Sequence, residues 1–325
     1  MRALITGGAG FIGSHLSEAL LNRGYQVSVI DNMSTGNLDN VKGLASNSSF
    51  ELIEASIHDE SVLNKAVRDS EVIFHLAAAV GVNLIVDDPV KVIETNILGT
   101  HSILKAANLY HKKILIASTS EIYGKGVKSP FSEYDDRLLG PTTTSRWSYA
   151  ASKAVDEFLA FAYNRQLDLP VIIFRLFNTV GPRQIGKYGM VLPRFVESIM
   201  AGTSPQVYGD GKQTRCFCDV RDAVNAILSL SDTESAIGDV YNIGSETEIS
   251  IFQLAKLVNK VLGGPIYEPE LIPYEQAYNP GFEDMLKRQP DTSKITNLTG
   301  WKPKISLEDT ISDIATNLGH NFLKD

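Results

Sequence analysis

Short β-branched and apolar runs punctuate the first half of the chain at residues 3–6, 26–30, 51–55, 72–76, 113–117 and 171–176, with amphipathic helical stretches between several of them. That alternation predicts βαβ units and a doubly wound, mainly parallel α/β sheet covered by helices on both faces. The first helix carries Ile12, Leu16, Ala19 and Leu20 on one side, close to the 3.6-residue period, and Gly24 is placed to end it.

Beyond Leu176 the pattern loosens: Gly181-Pro182, Gly186, Gly189, Gly202 and Gly209 break the chain into short elements, where substrate-binding insertions are expected. A helix around 220–230, a strand around 240–243 and a helix around 251–261 return to the core, and the Pro- and Tyr-rich segment 265–290 reads as a lid or loop. The predicted division is a nucleotide-binding domain over 1–176 plus about 219–262, and a smaller α/β lobe over about 177–218 plus 263–325. There is no internal repeat, and Ser46-Asn47-Ser48-Ser49 is only a short polar loop.

The 325 residues, 43% apolar and 21% charged, suit a globular protein of about two lobes. Thirty Lys plus Arg against thirty-eight Asp plus Glu give a net charge of −8, so no global basic field draws nucleic acid or an anionic membrane. Any anionic ligand must be held by local groups. The longest apolar-looking run, 72–86, is interrupted by His75, Gly81 and Asn83 and is too short to cross a bilayer. With a strand-like N-terminus and no signal-peptide pattern, a cytoplasmic enzyme is the expectation. Cys216 and Cys218 are neither a zinc pair nor a disulfide framework, so no metal is expected; on one strand they would point the same way and pack as small hydrophobes.

Gly7-Gly8-Ala9-Gly10-Phe11-Ile12-Gly13 follows the first strand directly and opens the first helix. A backbone free of Cβ atoms can approach a pyrophosphate there, and the helix N-terminus offers unpaired N–H groups. Asp31 ends the second strand, eighteen residues after Gly13. An acidic side chain there can take the ribose 2′-OH of NAD and repel a 2′-phosphate, or can serve as a turn residue. NAD is therefore expected rather than NADP.

Tyr149-Ala150-Ala151-Ser152-Lys153 sets a phenol and an ammonium four residues apart, on one face of a helix. A nearby fixed positive charge favours phenolate, which makes a proton acceptor for an alcohol undergoing oxidation.

With Gly7, Gly10, Gly13 and Asp31, this pair resembles the short-chain dehydrogenase/reductase superfamily, in its extended, nucleotide-sugar-modifying branch with a Rossmann-type sheet. The resemblance runs nearly end to end through His75-Leu76-Ala77-Ala78, Asn96-Ile97-Leu98-Gly99-Thr100, Ser118-Thr119-Ser120-Glu121-Ile122-Tyr123-Gly124 and Arg175-Leu176-Phe177-Asn178-Thr179-Val180-Gly181-Pro182-Arg183. It implies that Tyr149 is the catalytic base, that Lys153 binds the nicotinamide ribose and lowers the Tyr149 pKa, and that Thr119 hydrogen-bonds the sugar hydroxyl. Asn178 would hold the diphosphate. Phe11, Ile12, Asp31, Asn32, Ser34, Thr35 and Gly36 would line the dinucleotide, together with Ile57, Leu76, Ala77, Ala78, Asn96 and Ser118. Ser56 stands beside Ile57 where many relatives have Asp against the adenine.

Members of this branch begin alike, by oxidising a sugar at C4; the fate of the 4-ketone decides the product. Ser120 replaces the aspartic acid a 4,6-dehydratase would use, while Glu121 keeps a titratable group beside the sugar. Desolvation would raise its pKa toward a proton donor's or leave it to position water, unless it is only salt-bridged at the sheet end. Gly211-Lys212-Gln213-Thr214-Arg215-Cys216-Phe217 and Arg146-Trp147-Ser148-Tyr149 resemble segments of UDP-glucuronate decarboxylases, although an arginine at position 215 also serves epimerases and dehydratases. In Arg288-Gln289-Pro290-Asp291, Arg288 would face the diphosphate, and Tyr208 either stacks near the uracil or packs in the core. The expected reaction is conversion of UDP-glucuronate to UDP-xylose. A UDP-sugar 4-epimerase is the alternative, with a 4,6-dehydratase or a silent NAD-binding regulator behind it. The helices around 96–110 and 149–166 are those that such proteins pair into a homodimer.

Overall fold

The computed structural model describes residues 1–320 apart from 82–87, 127, 187–188, 278–284 and 286. Parts of the 72–86 run and of the 265–290 lid segment therefore lie outside the described residues. The strands are β1 (Arg2–Thr6), β2 (Gln26–Asp31), β3 (Phe50–Glu54), β4 (Val72–His75), β5 (Lys113–Thr119), β6 (Val171–Leu176), β7 (Thr179–Val180), β8 (Gln206–Tyr208), β9 (Thr214–Cys216), β10 (Cys218–Asp219), β11 (Asp239–Ile243), β12 (Glu248–Ser250) and β13 (Glu270–Ile272). The helices are α1 (Phe11–Asn22), α2 (Glu60–Arg68), α3 (Pro89–Leu109), α4 (Ser148–Leu167), α5 (Val191–Met200), α6 (Val220–Ser231), α7 (Ile251–Leu262), α8 (Tyr274–Ala277), α9 (Ser293–Thr299) and α10 (Leu307–Asn317).

Seven strands form one sheet in the order β11-β6-β5-β4-β1-β2-β3, every pair parallel. Its strands are apolar on both faces because helices cover both. Leu115 of β5 packs with α1 and α6 through Leu16, Leu20, Val224 and Ile227. Its neighbours Ile114 and Ile116 point the other way, among Leu63 of α2, Leu104 of α3 and Ala160 of α4. This is the Rossmann-type fold expected from the alternation. α1 ends at Asn22, with Gly24 at φ +79° turning the chain into β2. The strand order reverses between β1 and β4, and that switch point opens a crevice at the strands' C-terminal ends.

A third core joins α5, α7 and α10 through Phe195, Val196, Leu254, Val258, Ile311 and Ile314. α7, placed by the sequence with the nucleotide-binding domain, thus packs away from the sheet. Ile295 of α9 and Trp301, placed with the other lobe, pack in the sheet's own core. An apolar helical face shows that a partner exists, and only the three-dimensional path shows which one. The cysteine expectation is corrected in the same way. Both thiols are buried, but β9 pairs with β12 and β10 with β7, so the chain changes sheets at Phe217. Among the described residues no helix is long and apolar enough to cross a membrane.

Candidate active site

A cleft of about 720 Å³ runs along the C-terminal ends of the sheet, from the turn after β1 to the segment around Arg288. At its floor Gly7 adopts φ +73°, and a Cβ there would lie 2.8 Å from the backbone nitrogen of Ala77, so the turns after β1 and β4 meet only because residue 7 has no side chain. A Cβ on Gly13 would meet the Gly7 carbonyl and sit 2.6 Å from Gly8 Cα. Gly10 caps α1 with no side-chain hydrogen bond, and no acidic residue stands in the first turn. The N–H groups of that turn therefore face the cleft free of a competing carboxylate, as a pyrophosphate site requires. Asp31 ends β2 with Oδ2 accepting from the Ala9 N–H at 3.0 Å and Oδ1 from the Met33 N–H at 2.9 Å. Burial pushes its pKa up against those two bonds.

Phe11, Ile12, Asn32, Ser34, Thr35, Ile57, Leu76, Ala77, Ala78 and Ser118 all line this cleft. Two expected residues do not. Asn96 is buried, with Oδ1 accepting from the Ala79 N–H at 2.8 Å and Nδ2 donating to the Ser152 hydroxyl at 3.3 Å, so it pins the loop after β4 from behind. Gly36 stands behind Asp31, where a Cβ would lie 2.8 Å from Oδ1; it gives the carboxylate room without walling the cleft.

The second half of the cleft gathers Thr119, Ser120, Glu121, Tyr149 and Lys153. β5 delivers Thr119 at its last residue, and the 3-10 turn Ser120–Tyr123 follows with Thr119 Oγ1 accepting from the Glu121 N–H at 3.2 Å. The Tyr149 and Thr119 side chains are hydrogen-bonded. Glu121 is clamped: Arg288 Nη2 holds Oε1 at 2.7 Å and Arg146 Nη2 holds Oε2. Burial alone would raise its pKa, but Arg288, Arg146 and Arg215 outweigh burial and hold the carboxyl at about 2. The expectation of a raised Glu121 pKa is therefore corrected: Glu121 is a carboxylate, and the missing information was the pair of arginines that the fold brings to it.

Lys153 sits with its ammonium 2.8 Å from Asp156 Oδ2 in a fully buried pair. The Tyr149 phenol is pushed above its ordinary value, first by burial and then by the Glu121 and Asp156 charges, against the Thr119 hydrogen bond and Arg146. The Lys153 ammonium is tied to Asp156 along the same helix, a pair whose sign in the sequence was the i, i+3 spacing.

Asn178, Tyr208, Arg215 and Arg288 line the outer part of the cleft. Asn178 sits at φ +36° and donates to the Cys216 carbonyl at 3.3 Å, tying the turn after β6 to β9. The Arg194 guanidinium lies 4.2 Å from the Tyr208 ring centre. Arg215 Nη1 donates to the Thr214 and Met285 carbonyls, both at 2.8 Å. Arg288, expected to face a diphosphate, here also holds Glu121. Among the cleft residues with no role from the sequence are two further arginines. Arg146 was visible only as the residue three before Tyr149, and Arg183 reaches back to α1, with Nη1 on the Ser14 hydroxyl at 3.1 Å and Nη2 on Glu18 at 2.6 Å.

Residues 4–314 match the family described as GDP-mannose 4,6 dehydratase. The chain belongs to that family. Within it, a UDP-N-acetyl-alpha-D-glucosaminuronate decarboxylase of Bacillus cytotoxicus is 44% identical over 313 residues, 96% of each chain. UDP-glucuronic acid decarboxylase 1 of Arabidopsis thaliana is 36% identical over 325 residues, covering 100% of this chain and 71% of the plant protein. Among solved structures, the UDP-glucuronic acid 4-epimerase of Bacillus cereus in complex with UDP-glucuronic acid and NAD superposes with a TM-score of 0.88 at 28% identity, covering 98% of this chain and 99% of the other. Membership in the GDP-mannose 4,6-dehydratase family agrees with the nucleotide-sugar-modifying branch expected from the motifs. These relatives are enzymes of nucleotide-sugar decarboxylation and epimerisation, the two reactions the sequence left in competition.

Proposed function

We propose that this protein binds NAD and a UDP-linked hexuronate, oxidises the sugar at C4, releases its carboxyl group as CO₂ and reduces the ketone, turning UDP-glucuronate into UDP-xylose. The observation that carries this reading is Glu121 next to Ser120, its two carboxylate oxygens paired with Arg146 and Arg288 and its ionised form further favoured by the charge of Arg215. A 4,6-dehydratase must protonate a leaving hydroxyl, and neither a serine nor a carboxylate held at about 2 can do so. A carboxylate-bearing sugar, by contrast, suits a site rich in guanidinium groups.

The uncapped N-terminus of α1 would hold the pyrophosphate of NAD and Asp31 a ribose hydroxyl; when bound, NAD supplies the hydride acceptor and donor that C4 chemistry needs. Thr119 holds the C4 hydroxyl, and Tyr149 takes its proton as phenolate, a form that the positive charge of bound NAD would favour against the burial and carboxylates that raise the phenol's pKa. Lys153, fixed by Asp156, would hold the nicotinamide ribose. With C4 a ketone, the C5–C6 bond breaks and its electron pair moves into the C4 carbonyl, where the protonated Tyr149 hydrogen-bonds the developing enolate. Glu121, as a carboxylate, orients the water that returns a proton to C5. Asn178, Arg215 and Arg288 hold the diphosphate and Tyr208 the uracil.

The same reading divides the molecule into an NAD-binding domain on the seven-stranded sheet and a sugar-nucleotide lobe around α5, α7 and α10. It also makes it a homodimer through α3 and α4, whose outward side chains Leu98, Val155 and Phe158 are 51%, 43% and 63% exposed. The 4-epimerase remains the second reading, because Thr119, Tyr149 and Lys153 serve both and the Bacillus cereus structure is an epimerase. Proton NMR of UDP-glucuronate, and of its 2-acetamido counterpart, incubated with the protein tests this. A UDP-pentose supports decarboxylation and a UDP-galacturonate product moves the function to epimerase. No turnover with NAD demonstrably bound leaves an NAD-binding regulator.

A further inference from the structure

Arg146 lies on the 3-10 turn Ser145–Trp147, just ahead of α4 and three residues before Tyr149, and is only 2% exposed. Burying a guanidinium is costly unless its donors are met. Elsewhere in this protein they are: Arg175 gives Nε and Nη2 to the two Glu157 oxygens at 2.9 and 2.7 Å and Nη1 to the Tyr123 hydroxyl at 2.7 Å. Arg146 differs. Its Nη2 holds Glu121, while Nε and Nη1 are buried with no hydrogen-bond partner among the described residues. An arginine kept only for packing would be better replaced by an apolar side chain of similar shape. This one walls the cleft instead and pairs with Glu121.

The other guanidinium on that carboxylate comes from the far side of the cleft. Arg288 precedes α9 and, on the function proposed above, turns to the sugar nucleotide's diphosphate. We propose that Arg146 is a positioning residue for Glu121: it fixes the carboxylate beside the Thr119–Tyr149 pair and keeps a cation on it when substrate draws Arg288 away. The inference rests on that function for the movement of Arg288, while the Arg146–Glu121 pair itself is seen directly.

The charged and titratable groups facing Glu121 are Arg146 and Tyr149 on α4 and the turn before it, Arg288 across the cleft, and Arg215 on β9. Lys153 and Asp156 stand beyond Tyr149 on α4. Three cations around one carboxylate favour its ionised form. With Arg146 removed, and Arg288 engaged by substrate, Glu121 takes up a proton at higher pH and can no longer orient water as an anion.

The test is kinetic and spectroscopic, on NAD-loaded enzyme carrying Arg146→Met, Arg146→Lys, Glu121→Gln and the Met/Gln double substitution. Arg146→Met is expected to lower kcat about 100-fold, leave KM for the UDP-hexuronate within about threefold, and move the acid limb of the pH profile upward. Adding Glu121→Gln to it should cost nothing further, and Arg146→Lys, which keeps the charge, should recover most of the loss. A raised KM at unchanged kcat, an unshifted pH profile, or losses that multiply in the double variant would each overturn the proposal.

A titration of the ¹³C-labelled Glu121 carboxyl in protein without substrate, assigned by its loss in Glu121→Gln, reads the same pair without turnover. It therefore stands even if no UDP-hexuronate is a substrate. The carboxyl should titrate at higher pH in Arg146→Met and shift less in Arg146→Lys, which serves if the methionine variant does not fold. A titration identical to wild type in the folded variants contradicts the role.

Discussion

Glu121 pairs its two oxygens with guanidinium groups from opposite sides of the cleft, so its charge is stabilising as long as it stays ionised. Its folded-state pKa of about 2 lies below the roughly 4.3 of an unfolded glutamate. A depressed carboxylate contributes stability that is complete above the unfolded value and is lost as pH falls through the folded one. The stability difference between wild type and Glu121→Gln should therefore be constant from pH 8 to about 5, at about 3 kcal/mol, and shrink as the pH drops toward 2; denaturant melts across that range check it. Tyr149→Phe should reduce turnover by at least about 100-fold yet leave NAD bound, as read by the nucleotide released on denaturation. Retained turnover would remove Tyr149 from the role of base. Tyr149 and Lys153 were legible because their spacing is local. The clamp on Glu121 was not, since Arg288 is 167 residues away in sequence and no pattern along the chain pairs the two.

At the scale of elements, apolar runs located the sheet well and its functional ends poorly. β6 falls where expected, over Val171–Leu176, because every residue of the run packs. β5 runs two residues past its apolar stretch: Ser118 pairs with Arg175 and Thr119 with Leu176. Those polar residues are invisible to hydrophobic patterning and are the ones that reach the cleft. The turn between β1 and α1 was legible because glycine is a backbone requirement. Gly13→Ala would drive a methyl group into the Gly7 carbonyl and the Gly8 backbone, which cannot yield as a side chain can. The variant should purify without NAD, whereas wild type should release NAD when denatured; equal NAD content in both would show that the turn is not the pyrophosphate site.

For the molecule as a whole, the net charge of −8 describes the exterior, while the cleft that would take two anionic ligands is furnished with buried arginines and a helix N-terminus. The fold was legible end to end, but the partition of its cores was not: α7 and α9 have apolar faces that suit either neighbour, and only their path decides. The proposed homodimer rests on the exposed apolar side chains of α3 and α4. Phe158→Glu should convert a dimer to a monomer by light scattering after gel filtration, and an unchanged mass would place the interface elsewhere. In the proposed reaction, the bond that distinguishes decarboxylation from epimerisation is the one between C5 and the carboxyl carbon. Protein incubated with UDP-glucuronate labelled with ¹³C at C6 should release the label as ¹³CO₂, one equivalent for each UDP-xylose formed; label retained in a UDP-hexuronate product would contradict the account.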